Sequence, residues 1–139
     1  MQKKTRTEAG IIEQVSANDN TAIPSIRPAP KKFRARCYMM RTGVEGWTEN
    51  DILRYCRLSS GRNYATELER QLDINLERID EKNPDGIGSH FRYRFSCRGD
   101  VLRVIQLVNY NAVTGGYRGL SQPEIADILS LYPDAFHAA

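Results

Sequence analysis

The chain has 139 residues, 40% of them hydrophobic and 27% charged, with a mean hydropathy of −0.55. That describes one modest domain with polar tails, too short for a two-domain enzyme of the dehydrogenase or kinase type, and no run of about 18 apolar residues is present to cross a membrane. The net charge of +3 is unevenly placed: residues 1–36 carry eight Lys and Arg against three Asp and Glu, whereas residues 37–139 carry 12 against 14.

The first six residues, with Lys3, Lys4 and Arg6, are basic like the start of a secretory signal. Residues 7–14 are too polar for its apolar core, so a cytoplasmic protein is expected. Cys37, Cys56 and Cys97 form an odd set without a C-x-x-C pair, which predicts reduced core thiols in a reducing compartment. Residues 1–32 mix polar residues with Pro24, Pro28 and Pro30 and hold few large apolar side chains. Such a stretch cannot offset its ordering entropy, and a disordered basic arm is predicted, with a short helix over 8–17 as the one element it could form.

From Phe33 the composition turns apolar, and Gly43 and Gly46 break the segment. Thr48 and Asp51 then have N-cap and N3 spacing, with Trp47 and Ile52 placed as a hydrophobic staple, so a helix is predicted from there to about Leu58. Ser59, Ser60 and Gly61 make a turn. A second helix is expected over 64–72, with Ala65, Leu68 and Leu72 inward. A strand over 74–79, a polar loop over 80–89 and a return strand over 90–95 follow. In the return strand Phe91, Tyr93 and Phe95 share one face and Arg92 and Arg94 the other. Two more helices close the chain. One is capped by Asp100 and runs over 101–110, with Val101, Val104, Ile105 and Val108 inward and Leu102 and Leu107 widening the stripe. The other is started by a Ser121 and Glu124 capping box with Pro123 in its first turn, has Ile125, Ile128, Leu129 and Leu131 inward, and stops at Tyr132-Pro133.

Helix, tight turn, helix, strand, glycine-containing loop and strand is the order of a winged helix-turn-helix. On Trp47-Thr48-x-x-Asp51-Ile52, on the run from Gly61 to Arg70, on Ile74 and on the run from Gly88 to Arg94, the chain resembles the small winged helix-turn-helix domains of phage and prophage proteins. The resemblance covers residues 47–95. It implies an α+β fold, a winged helix-turn-helix with a two-stranded wing over 33–98, here followed by two additional C-terminal helices over 99–135 and a frayed tail over 136–139. It also implies a small double-stranded-DNA-binding protein, a transcriptional regulator or a phage accessory factor.

For such a domain the second helix would lay its polar face in a major groove about 12 Å wide. On that face stand Arg62, Asn63, Thr66, Arg70 and Gln71. Arg70 suits guanine, Asn63 or Gln71 adenine, and Thr66 a phosphate or a thymine methyl. Arg57, Ser59 and Ser60 in the turn, Arg92 and Arg94 on the wing, and Lys31, Lys32 and Arg34 of the arm suit phosphates. Glu67 and Glu69 would repel phosphates unless paired, Glu67 with Arg70.

Nucleophile-elbow, phosphate-loop, zincin and dinucleotide motifs are all missing, and only His90 and His137 could serve as neutral bases, so no enzymatic activity and no cofactor are expected. Cys37, Cys56, Cys97 and His90 have no zinc-module spacing, and no metal is expected. Two strands are too few for an RNA-stacking platform, which leaves the aromatic strand face to the core. The competing reading is a module that uses the same fold to bind or inhibit another protein. It draws on the wing, where residues 73–85 carry five carboxylates against Arg78 and Lys82, and on the net −2 of residues 37–139. The wide stripe over 101–108 predicts a homodimer through the C-terminal helices.

Overall fold

The computed structural model describes residues 27–133; residues 1–26 of the expected arm, its helix over 8–17, and the tail with His137 lie outside the described residues. Within them the class is α+β, five helices and a three-stranded antiparallel sheet in the order β1-β3-β2. Among the described residues no helix is long and apolar enough to cross a membrane.

Helix α1 spans Lys31–Arg41. This corrects the expected boundary at residue 32, because Lys31 and Lys32 are the first two helical residues. The cause is burial further along: Ala35, Cys37, Met39 and Met40 are buried against the rest of the domain, and Pro30, in an extended conformation at the N-cap, starts the helix without a side-chain cap. A cap signal was therefore not there to be read. Arg27, three residues before Pro30, already pairs with the 116–117 segment, donating its amide to the Gly116 carbonyl.

Strand β1, Trp47–Thr48, was not expected from sequence, since two residues carry no periodicity. It pairs Trp47 with Tyr93 and Thr48 with Arg92. Gly46 makes this approach possible. Its φ is +76°, and a Cβ there would lie 2.0 Å from the Tyr93 carbonyl oxygen. Thr48 is the N-cap and Asp51 the N3 residue as predicted, and the two close a reciprocal capping box, each accepting the other's backbone N–H at 3.0 Å. The helix they start is shorter than predicted: α2 is Glu49–Asp51, continued by a π-helical stretch, Ile52–Cys56, and closed by Arg57 at φ +60°.

Helix α3, Gly61–Leu72, starts three residues before the predicted position. Gly61 is buried where α2 and α3 meet, and a Cβ on it would press within 3.0 Å of the Ile52 Cβ and 3.3 Å of the Glu49 Cα. Strands β2, Glu77–Lys82, and β3, Ser89–Arg94, form the hairpin, with β2 three residues later than expected. Residues 74–76 are instead spent on the descent from α3. There Ile74 and Leu76 are buried, and the Leu76 amide donates to the Glu69 carboxylate at 2.9 Å.

Helix α4, Arg98–Gly115, is longer at both ends than predicted; Cys97 is its N-cap and Asp100 sits in the first turn. Helix α5, Gln122–Leu129, has the predicted Ser121 and Glu124 capping box with Pro123 at its start. Leu131 was expected to face inward but is exposed, because the chain turns after Leu129 and Tyr132 takes the buried place, donating its hydroxyl to the Met40 carbonyl at 2.7 Å. Phe91 is also half exposed near the hairpin tip, whereas Tyr93 and Phe95 of the same strand face are buried. One buried cluster draws on α1, β1, the π-helical stretch, α3, β3, α4 and α5. Trp47 is at its centre, stacked on Tyr93 and tilted against Phe95.

Candidate nucleic-acid interface

Helix α3 packs Gly61, Ala65 and Leu68 inward, which by helical geometry turns residues 62, 63, 66 and 70 outward. Arg62, Asn63, Thr66 and Arg70 are all exposed. The Arg62 and Arg70 side chains have no salt-bridge partner among the described residues, nor does Arg57 in the turn. The Thr66 hydroxyl donates back to the Arg62 carbonyl at 3.0 Å, so its methyl and its acceptor lone pairs are what it offers outward.

Both carboxylates of α3 are drawn off this stripe. Glu67 turns to α1 and accepts from Lys32 Nζ at 2.8 Å, with Arg36 at 3.9 Å. The bond from Lys32 holds its carboxyl below the usual carboxylate range. Glu67 was expected to pair with Arg70; Lys32 has taken that place. Glu69 turns to the hairpin and accepts both terminal nitrogens of Arg78, at 2.8 and 2.7 Å, which lowers its carboxyl in the same way. Arg78 in turn lies over the Tyr93 ring, 5.1 Å from its centre.

Several other expected contacts are committed elsewhere. Gln71 is exposed on the α1 side of the helix, where its carbonyl accepts from the buried Arg36 at 3.1 Å, so it belongs to the α1–α3 joint and not to the outward stripe. Burial lowers the Arg36 pKa, and its Nε has no hydrogen-bond partner among the described residues, so Gln71 and Glu67 are its compensation. Arg34 donates to the Cys56 carbonyl at 3.1 Å and closes the π-helical stretch. Of the expected phosphate-binding residues of the arm, Lys31 alone keeps a side chain that no hydrogen bond or ion pair engages among the described residues.

The wing arginines are neutralised in register. Arg94 stands opposite Glu77 and donates to it, and Arg92 reaches across to Glu81 at 2.6 Å and towards Asp51 at 3.7 Å. The bond between Arg92 and Glu81 raises the arginine pKa and lowers that of the glutamate. His90 adds contacts to Asn83 at 2.7 Å and Glu81 at 3.1 Å. Alternation therefore places Arg92 and Arg94 on the outer face as expected, but the residues across the strand pair consume their charge. Ser59 and Ser60 are exposed in the turn, beside an open cleft of about 730 Å³ between α2 and the hairpin, and Ser60 is held at φ +62°. No three His, Cys, Asp or Glu side chains gather as a metal site among the described residues.

The charge balance also changes once α1 is in place. Residues 27–133 carry 17 Lys and Arg against 13 Asp and Glu, so the described residues are basic in their own right, and the cations from Lys31 to Arg36 that were assigned to the arm belong to α1. A family model covers residues 25–138, an interval that contains every element from α1 to α5. The chain belongs to the PM1773 family, whose description is "Uncharacterised protein PM1773". The uncharacterized protein PM1773 of Pasteurella multocida (strain Pm70) is 29% identical over 85 residues, which are 61% of this chain and 60% of that relative. The match thus spans less than two thirds of the relative's length. No solved structure matches the chain. The family interval includes the basic start of α1, so Lys31, Lys32, Arg34 and Arg36 lie inside the same unit as α3.

Proposed function

We propose that the protein is a winged helix-turn-helix that binds double-stranded DNA, a small regulator or accessory factor with α3 in the major groove. The observation that carries the reading is the outward stripe of α3, where Arg62, Asn63, Thr66 and Arg70 stand together and both neighbouring glutamates are paired away from them. A major groove presents guanine acceptors to an arginine fork, adenine to an asparagine amide and a thymine methyl to a threonine. Arg57, in the turn before α3, and Lys31, at the start of α1, are exposed cations suited to phosphate contacts. The order α2, turn, α3, β2, β3 and the sheet that ties the hairpin to β1 support the winged-helix assignment. The wing braces α3 through Glu69 and Arg78; with its own arginines paired, it is not the main source of affinity.

Helix-turn-helix proteins that bind as dimers span two half-sites. Leu102, Tyr110 and Val113 remain exposed on α4 and suit a second copy. Sedimentation equilibrium reads that mass directly. The reading as a whole is tested by a mobility-shift titration against genomic fragments at two salt concentrations; no shift at low salt ends it. Replacement of Arg62 and Arg70 by Ala should remove sequence preference, and Lys31→Ala should weaken every sequence alike and reduce the salt slope by about one.

A further inference from the structure

Around the circumference of α1, next to the face that meets α3, a groove of about 400 Å³ runs between α1, the end of the π-helical stretch and the loop into α5. Lys32 and Arg36 turn to α3; Phe33, Cys37 and Arg41 follow about 100° further around the helix. Three aromatic rings, Phe33, Tyr38 and Tyr55, and three guanidinium groups, Arg34, Arg41 and Arg118, line it. Tyr38 and Tyr55 are stacked, their ring centres 5.8 Å apart, and Tyr55 is 62% exposed, so part of its ring is open to the groove and to solvent.

The cations have capacity to spare. Arg41 and Arg118 share one carboxylate, Glu124, at 3.5 and 3.7 Å, longer than the roughly 2.7–2.9 Å of a close charge-assisted bond. Glu124 is tied to the Ser121 capping box by its own hydrogen bonds, at 2.8 Å from the Ser121 amide. It orients the two arginines without consuming their five donors each, and exposed pairs of this kind contribute little to stability. Three positive charges therefore face one negative charge beside an open aromatic stack.

Cations that track phosphates, alternating with rings on which bases stack, are the combination that holds a single nucleic-acid strand. A groove of this size does not admit a duplex. An acidic peptide would use the arginines and leave the tyrosine stack idle. We propose that this groove is a second nucleic-acid site, which takes a single strand with a base on Tyr55 and phosphates on Arg41 and Arg118. It uses none of the outward residues of α3 and stands without the duplex-binding reading.

Fluorescence anisotropy with a labelled oligodeoxythymidine of about 15 nucleotides tests it on the full chain. Tyr55→Ala and the pair Arg41→Ala with Arg118→Ala should each weaken binding about tenfold, the loss of one base stack or of two phosphate contacts. Tyr55→Phe keeps the ring and should stay within about twofold, as should Arg62→Ala with Arg70→Ala. Thermal unfolding of each variant confirms that it is folded, and should Tyr55→Ala fail to fold, the arginine pair and quenching of tyrosine fluorescence by the oligonucleotide decide. No binding at low salt, or unchanged affinity in the arginine pair, overturns the proposal. So does displacement by polyglutamate as effective as by unlabelled oligodeoxythymidine, which would mark the groove as a site for an acidic protein.

Discussion

The outward face of α3 and the outer face of the hairpin each present two arginines, and only those of α3 have no carboxylate at salt-bridge distance among the described residues. On the hairpin the cross-strand register sets Glu77 opposite Arg94, and the neighbouring Glu81 reaches Arg92, so the charge is spent within the sheet. On α3 the two glutamates fall on the flanks of the helix, where Lys32 and Arg78 meet them from other elements. Residue type alone would rank the two faces equal. What separates them is whether an acid shares the arginine's face, and that depends on period: a strand pair puts opposite charges side by side, whereas a helix spreads positions 66, 67, 69 and 70 around its circumference.

The comparison breaks most completely if the hairpin is detached, and Gly46 is where that is done. Gly46→Ala forces a Cβ to 2.0 Å from the Tyr93 carbonyl and asks a non-glycine residue to hold φ +76°. Strain and overpacking together predict a loss of about 4 kcal/mol, read as a fall in the urea midpoint, with a shallower slope where the hairpin has come away. The same substitution at Gly86, on the open hairpin tip with nothing within 4 Å, should cost about 1 kcal/mol from its positive φ alone.

Next in size is the effect at the α3 face itself. Arg62→Ala with Arg70→Ala should cost about 2–4 kcal/mol of specific duplex affinity, at about 1–2 kcal/mol for each arginine contact, while the unfolding midpoint stays within about 0.5 kcal/mol of the parent. A titration with duplex DNA and a urea curve on the same preparation separate the two quantities. If affinity survives the double substitution, the stripe is not the reading surface and the contrast between the two faces has no functional meaning.

A smaller change sharpens why the stripe is open. Glu69 accepts two bonds from Arg78 and one from the Leu76 amide, and Glu69→Gln, which leaves Arg78 without a charged partner, should cost about 1.5 kcal/mol. The pH dependence follows from direction. Glu67, Glu69 and Glu81 all have carboxyls lowered in the folded protein, mainly by hydrogen bonds from Lys32, Arg78 and Arg92 respectively. Lowered carboxyls contribute stability that is complete above the unfolded value, roughly pH 4.3, and is lost as the pH falls through the folded values. The urea midpoint should thus be flat from neutrality down to about pH 5 and fall below it, with a smaller fall in Glu69→Gln.

The local signals were legible in the sequence. The Thr48 and Asp51 pair, the Ser121 and Glu124 box, and the alternation over Phe91, Arg92, Tyr93 and Arg94 are local patterns whose physics is complete within a few residues. The misread features depend on contacts distant in sequence. Helix α1 has no capping side chain and a polar start, and it exists because Ala35, Met39 and Met40 find a core made by later elements. Strand β1 is two residues whose partner is 46 and 44 positions away, Tyr93 and Arg92. The outward members of the candidate site, Arg62, Asn63, Thr66 and Arg70, followed from helical period. The fates of Lys32, Gln71, Arg92 and Arg94 did not, because their partners come from other elements.

The last contrast has the smallest expected effect and bears most directly on the hairpin. Arg92→Ala with Arg94→Ala removes two guanidinium groups that carry the outer face's formal positive charge, yet each is already matched by Glu81 or Glu77. If that pairing holds in solution, the double variant should bind duplex DNA within about twofold of the parent and lose only about 0.5–1 kcal/mol of stability, the usual worth of part-exposed pairs. The carboxylates then stand uncompensated, so the small loss in affinity should grow at low salt, where two exposed negative charges repel phosphates over a longer distance. Glu77→Gln with Glu81→Gln makes the opposite change. It removes the two cross-strand carboxylate charges, while Arg92 keeps Asp51 nearby, and should raise duplex affinity at low salt by up to about tenfold without altering sequence preference. A wing that gains affinity on losing its acids is one whose arginines were positioned for phosphate and held back by their neighbours across the strand; a wing indifferent to both double variants serves only to brace α3.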